Sequence, residues 1–170
     1  MRPNEFMQLK IIQRKAPIAD AFNGGMTIGP INTAGYDQAL FLINLGAATG
    51  GTARGKVYAY GVDVAAGTNK QAVGYWIRCG AGDAPDTEGT WTRYEAGAEL
   101  TTLAANNHGT QWLVAVDIVE VQNVMVAAGY VGTGIQLIIT ESVDDPIVAS
   151  ATVILHPTFN KDTQANAILA

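Results

Sequence analysis

One cysteine, two histidines and two serines are all that 170 residues contain of the commonest reactive side chains, and each scarcity closes a branch of chemistry. Cys79 has no partner for an intrachain disulfide, so the chain must hold itself together by its core. At this length one domain buries roughly two-thirds of its unfolded surface, which suffices without staples. The same composition suits a reducing cytoplasm as well as secretion, and Cys79 is expected as a small core residue. His108 sits in the turn-like "NNHG" and His156 ends a strand-like run before Pro157, so solvent-facing or capping roles are expected of both. Neither Ser142 nor Ser150 lies in the Gly-x-Ser-x-Gly setting of a nucleophile elbow. "GTARGK" at 51–56 lacks the spacing and the following Ser or Thr of a phosphate-binding loop.

Oxygen ligands are scarcely better arranged. Asp83, Asp86 and Glu88 crowd "GDAPDTEG", but without the alternation of a calcium loop, and a solvated hairpin tip is the expectation. No enzyme, no cofactor and no metal site are therefore expected. Long apolar runs are missing too. No window reaches the roughly 18 apolar residues of a membrane span, and the start "MRPNEFMQLKIIQRKAP" lacks the apolar core of a signal peptide. Membrane partners and export by that route are not expected.

Negative charge is almost absent from the first fifteen residues, where Arg2, Lys10, Arg14 and Lys15 face Glu5 alone. That segment carries +3 and the remainder −8, a basic arm on an acidic body. The arm is either a solvated terminus or a device that docks on an acidic protein surface. Four cations with a single aromatic, Phe6, among them, on a chain of pI near 4.8, make nucleic acid a poor partner.

Helix signals are sparse, and strand signals fill the space. "KVYAYGVDV" (56–64), "AVGYWIRC" (72–79), "TWTRYEAG" (90–97), "QWLVAVDIVEV" (111–121), "GIQLIITE" (134–141) and "IVASATVILH" (147–156) alternate or are rich in β-branched and aromatic residues. Turn-forming segments such as "GAATGGTARG", "AAGTNK" and "SVDDP" separate them. The expected fold is all-β: a two-layer antiparallel β-sandwich, jelly-roll-like, with an extended N-terminal arm over residues 1–30. The sandwich is expected over 31–160 and a C-terminal tail over 161–170. Trp76, Trp91, Tyr94 and Trp112 lie on alternating strands and are expected in the core, the alternative being an exposed platform that stacks sugars.

"INTAGYDQALFLINLGAATGG" (31–51) is apolar on both faces: Ala39, Phe41, Ile43 and Leu45 share one, Leu40 and Leu42 the other. The second face must be covered by the chain itself, by the arm or by another copy, because apolar patches on soluble proteins usually mark contacts. "VMVAAGYVG" (124–132) reads with the same two-sided character.

In order along residues 31–155, "TAGYDQALFLINLGA", the acidic-Gly hairpin before "WT", "GAEL", the Val-rich "LVAVDI" and the closing "SATVIL" resemble small head proteins of tailed bacteriophages. The resemblance implies a capsid decoration, or cement, protein: a structural component that binds the outer surface of the capsid and clamps neighbouring major capsid subunits. It implies the major capsid protein as partner, a trimeric state, assembly in the host cytoplasm and residence on the virion exterior. The interface residues expected are Arg2, Lys10, Arg14 and Lys15 for charge, and Phe6, Ile11 and Ile12 for apolar anchoring, with strand pairing if "QLKIIQR" joins a sheet edge. Leu40 and Leu42 are further candidates. A head-fibre or tail component and a carbohydrate-binding module are the alternatives.

Overall fold

Alternation in the sequence becomes alternation of burial, strand after strand. The computed structural model describes residues 9–48, 55–63, 69–79, 89–98, 111–130, 134–141 and 147–158. In chain order they form β1 (Lys10–Ile18), β2 (Met26–Asn32), β3 (Tyr36–Ala48), β4 (Gly55–Val62), β5 (Lys70–Ala72), β6 (Tyr75–Cys79), β7 (Thr92–Tyr94), β8 (Gln111–Asp117), α1 (Ile118–Ala127), β9 (Gly134–Glu141) and β10 (Ile147–Pro157). Six strands make one sheet in the order β1-β10-β3-β8-β6-β7, and four make a second in the order β2-β9-β4-β5. Every pairing is antiparallel among the described residues. The described residues thus form an all-β sandwich with one helix.

The inward faces interlock. Ala39, Phe41, Ile43 and Leu45 of β3, Trp112, Val114 and Val116 of β8, and Ala149, Ala151, Val153 and Leu155 of β10 are buried in the same cluster as Ile135, Leu137 and Ile139 of β9 and Val57 and Ala59 of β4. Each large side chain hidden in this way stabilises the fold by about 1.5–3 kcal/mol.

The N-terminal boundary differs from the expected one. Residues 10–32 are no arm: β1 is an edge strand of the larger sheet, bonded to β10, and β2 is an edge strand of the smaller, bonded to β9. Phe22, in the turn between them, is buried and stacks on Trp112 at 5.8 Å between ring centroids. The Ala21 N–H donates to the Ile147 carbonyl at 2.8 Å. Gly24 and Gly25, both at positive φ, shape the passage of the chain from one sheet to the other, and Pro30 lies within β2. The parts of the expected arm and tail at 1–8 and 161–170 lie outside the described residues.

The run 111–121 is not one strand either. β8 stops at Asp117, whose carboxylate accepts the Val119 N–H at 2.8 Å and caps α1. Ile118, Val121 and Met125 then recur at helical spacing and are all buried. Of the expected two-sided run at 124–132, residues 124–127 are the end of this helix and 128–130 the turn after it, while 131 and 132 lie outside the described residues. Met125 lies over Gly61 of β4, where an added Cβ would come within 2.9 Å of the Met125 Cγ. Glycine at 61 lets the helix close against the smaller sheet. No helix among the described residues is long and apolar enough to cross a membrane.

Candidate protein-binding surface

Strand register places residues from five strands in a single apolar row on the outward face of the larger sheet. Ile11 of β1 pairs with Ile154 of β10, Ile154 with Leu40 of β3, Leu40 with Ala115 of β8, and Ala115 with Trp76 of β6. A neighbouring row runs Thr152, Leu42, Leu113 and Arg78. With strands about 4.8 Å apart, the first row extends for about 20 Å. Ile11 is 67% exposed and Trp76 46%, whereas Leu40 and Leu42 are half-buried by their neighbours on the sheet.

Polar rows bound this patch at both ends. At one end Ser150, Asn44 and Gln111 are in register, and Gln111 Nε2 donates to Asn44 Oδ1 at 2.9 Å. At the other, His156, Gln38 and Asp117 are in register, and His156 Nδ1 lies 2.8 Å from Asp37 Oδ1. An apolar centre with a polar rim is the anatomy of a protein–protein contact.

The β6–β7 side carries the residue types that dominate such contacts, tryptophan and arginine. Arg93 lies over the Trp76 ring at 5.9 Å from its centroid, and Arg78 over Trp91 at 5.6 Å. Trp91 is 38% exposed. Of the four aromatics expected in the core, Trp112 is fully buried and Tyr94 packs against it through a stack on Tyr75. Trp76 and Trp91 are corrections: Trp76 takes an outward position of β6, Trp91 immediately precedes β7, and both are exposed. The corner is rigidly built. Arg93 Nη2 donates to both carboxylate oxygens of Glu120 at 3.0 and 2.9 Å, and the Gly74 N–H donates to Glu120 Oε1 at 3.0 Å. An added Cβ at Gly74 would displace the Arg93 guanidinium from its present position.

The opposite flank is cationic. Lys10, Arg14 and Lys15 all lie on β1, which has no acidic residue, and none of the three has an ion pair within the described residues. The ladder to β10 is regular only over Lys10–Gln13; register shifts follow at Gln13/Lys15 and Lys15/Ile18, with Pro17 between the latter two. Lysines, bulges and proline are the devices by which edge strands resist pairing with a further strand. The expected strand pairing of "QLKIIQR" is therefore made within the chain, to β10, and the face is more open to a partner than the edge.

The expected contact residues separate accordingly. Ile11, Leu40 and Leu42 share the outward face, whereas Lys10 and Lys15 pair with the inward Leu155 and Ala151 and so take the other face of the edge strand, and Arg14 lies in the register shift between Gln13 and Lys15. Ile12 is a correction: it pairs with Val153 and packs against the core, because alternation turns it opposite to Ile11. Arg2 and Phe6 lie outside the described residues, as do His108, Ser142, Asp83, Asp86 and Glu88 and the Cys79 side chain. Ile154, Leu113 and Ala115 were not among the expected contact residues, and Trp76 was expected in the core or on a sugar-stacking platform. Their alternation was visible, but nothing local announced that they meet Leu40 and Leu42.

A depression lined by Tyr58, Tyr60, Ala72, Tyr75 and Gly97 has a volume of about 10 Å³, room for about one water molecule. Among the described residues no three His, Cys, Asp or Glu side chains gather as a metal would need. No family model matches the chain, and no curated protein or solved structure matches it.

Proposed function

We propose that the chain is a structural virion protein of a tailed bacteriophage, binding the outside of the capsid and clamping neighbouring major capsid subunits. It transforms no molecule, takes no cofactor and works as a homotrimer, assembled in the host cytoplasm and carried on the virion exterior. The observation that carries this reading is the two-row apolar centre of the six-stranded sheet, edged by polar residues and turned outward. The resemblance of residues 31–155 to small head proteins supplies the partner. Many copies repeated by the symmetry of a shell would turn a modest contact into firm attachment.

Undecorated heads mixed with the purified protein provide the test. Co-sedimentation and a rise in the temperature at which the shells release their contents are expected, and Leu40→Asp combined with Leu113→Asp should abolish both. Heads that neither bind nor gain heat resistance overturn the reading. A second reading, a carbohydrate-binding module, draws on the exposure of Trp76 and Trp91. It requires glycans to quench tryptophan fluorescence in protein that ignores capsids.

A further inference from the structure

We infer that β7 is a latched edge strand: it leaves the larger sheet while the rest of the sandwich stays folded, the clasp that keeps it in place is Glu120 of α1, and its departure bares the edge of β6. This device belongs to the chain itself and is independent of any partner on the outward face.

β7 has little of its own to hold it. Its three residues pair with β6, Tyr94 with Tyr75, Arg93 with Trp76 and Thr92 with Ile77, and it is the last strand of the sheet on that side. β6 is secured on its other edge by four pairs to β8 and buries Tyr75 and Ile77, whereas Thr92 is exposed and Arg93 and Tyr94 are only half-buried. The apolar share of β7 is the Tyr94 ring, stacked on Tyr75 at 5.4 Å between centroids, with the Arg93 and Trp76 contact on the outside. Core burial, which anchors β6 and β8, therefore contributes little here.

What remains is a tie to a different element. Arg93 Nη2 donates to both carboxylate oxygens of Glu120, and the two side chains are 26% and 29% exposed. Glu120 stands in the first turn of α1, and that helix is fixed on its own account by Ile118, Val121 and Met125 in the core. The place of the strand thus depends on a charge carried by a helix 27 residues further along the chain. Parting also orphans neither group, because Glu120 keeps the Gly74 N–H at 3.0 Å while Arg93 passes into water. Opening the latch therefore costs less than unfolding the core. While β7 is away, the backbone groups of Tyr75, Trp76 and Ile77 that faced it lose their partners, and an edge of that kind accepts strands from other chains. The far edge, β1, is broken by register shifts, so the latch decides when the larger sheet has a regular edge to offer.

Hydrogen exchange of the full chain, followed amide by amide by NMR across a urea series, is the test. β6 supplies its own control, since one edge faces β7 and the other β8. In the wild-type chain the amides joining β6 to β7 should be at least about tenfold less protected than those joining β6 to β8, with little dependence on urea, the mark of a local opening. Glu120→Gln and Arg93→Gln, which keep the shape and remove one charge each, should speed the β6–β7 amides by about a further tenfold. The double variant should match the single ones, because either substitution removes the same tie.

Equal protection and equal urea dependence at the two edges of β6 in the wild-type chain overturn the inference without recourse to a variant. It falls as well if Glu120→Gln speeds only the amides that exchange by global unfolding, for the carboxylate then secures α1 and not β7, or if the effects of the two substitutions add. Capsids play no part in these measurements, so the capsid reading stands or falls apart from them.

Discussion

Leu40 and Phe41 are neighbours in sequence and opposites in the fold, and alanine at each position should have opposite consequences. Phe41 is completely buried on the inward face of β3, so Phe41→Ala removes core atoms and leaves a cavity between the sheets, at a cost of about 3–5 kcal/mol. Leu40 points outward and is only half-buried. Full burial of leucine contributes about 1.5–3 kcal/mol, so truncation at this site should cost about 1 kcal/mol or less. For a domain of this size each kcal/mol moves the midpoint by about 2–4 °C, which separates a fall of about 6–20 °C for Phe41→Ala from one of about 4 °C or less for Leu40→Ala. Urea titration gives the free energies, and differential scanning calorimetry gives the midpoints. Binding should invert the order: Leu40→Ala weakens attachment to undecorated heads, while Phe41→Ala, measured where it remains folded, spares it. If Leu40→Ala destabilises the isolated protein as much as Phe41→Ala does, the outward face is covered by its own chain and the docking argument fails.

Asp117→Ala removes the cap of α1 and should lower stability by about 1 kcal/mol in urea titration, with Asp117→Asn retaining most of it. Glu120→Ala strips Arg93 and the Gly74 N–H of their shared acceptor; a loss of about 1–3 kcal/mol is expected, and a thermal midpoint within error of wild type would refute the latch described for this corner. Burial raises the Tyr36 hydroxyl above its ordinary pKa of 10.0. The folded state therefore favours the neutral phenol, and this contribution is complete below pH 10 and lost as pH rises through the higher folded value. Stability measured across that alkaline range should fall less steeply in Tyr36→Phe. Iodide should quench Trp76 and Trp91 but not Trp112, and an excess of undecorated heads should protect Trp76; equal quenching in both conditions would place the contact elsewhere.

Strand content was legible because alternation is a local property. β4, β9 and β10 fall where period-two runs of β-branched and aromatic residues predict them, and the inward set of β3 was readable as Ala39, Phe41, Ile43 and Leu45. The helix was hidden by composition. Ile118, Val119, Val121 and Val124 are residues that favour strands, and the alternation of β8 runs straight into them. Only the Asp117 cap and the spacing of 118, 121 and 125 marked the change of period. The N-terminal region was misread for a related reason. Glycines and prolines dominate its local signal, whereas the burial of Phe22, Met26, Ile28 and Ile31 comes from sheets built mostly of later residues.

The amino-acid sequence alone determined a β class, two apolar faces on the central strand, a basic N-terminal stretch and the scarcity of catalytic side chains. The tertiary structure alone decided which faces join. Ile11 meets Ile154, and Leu40 meets Ala115, across long separations in the chain. Backbone hydrogen bonds are alike at every register, so alternation assigns a residue to a face without saying which strand lies beside it. The choice of neighbour comes from filling the space between two sheets. The apolar row on the outside is what that internal packing aligns.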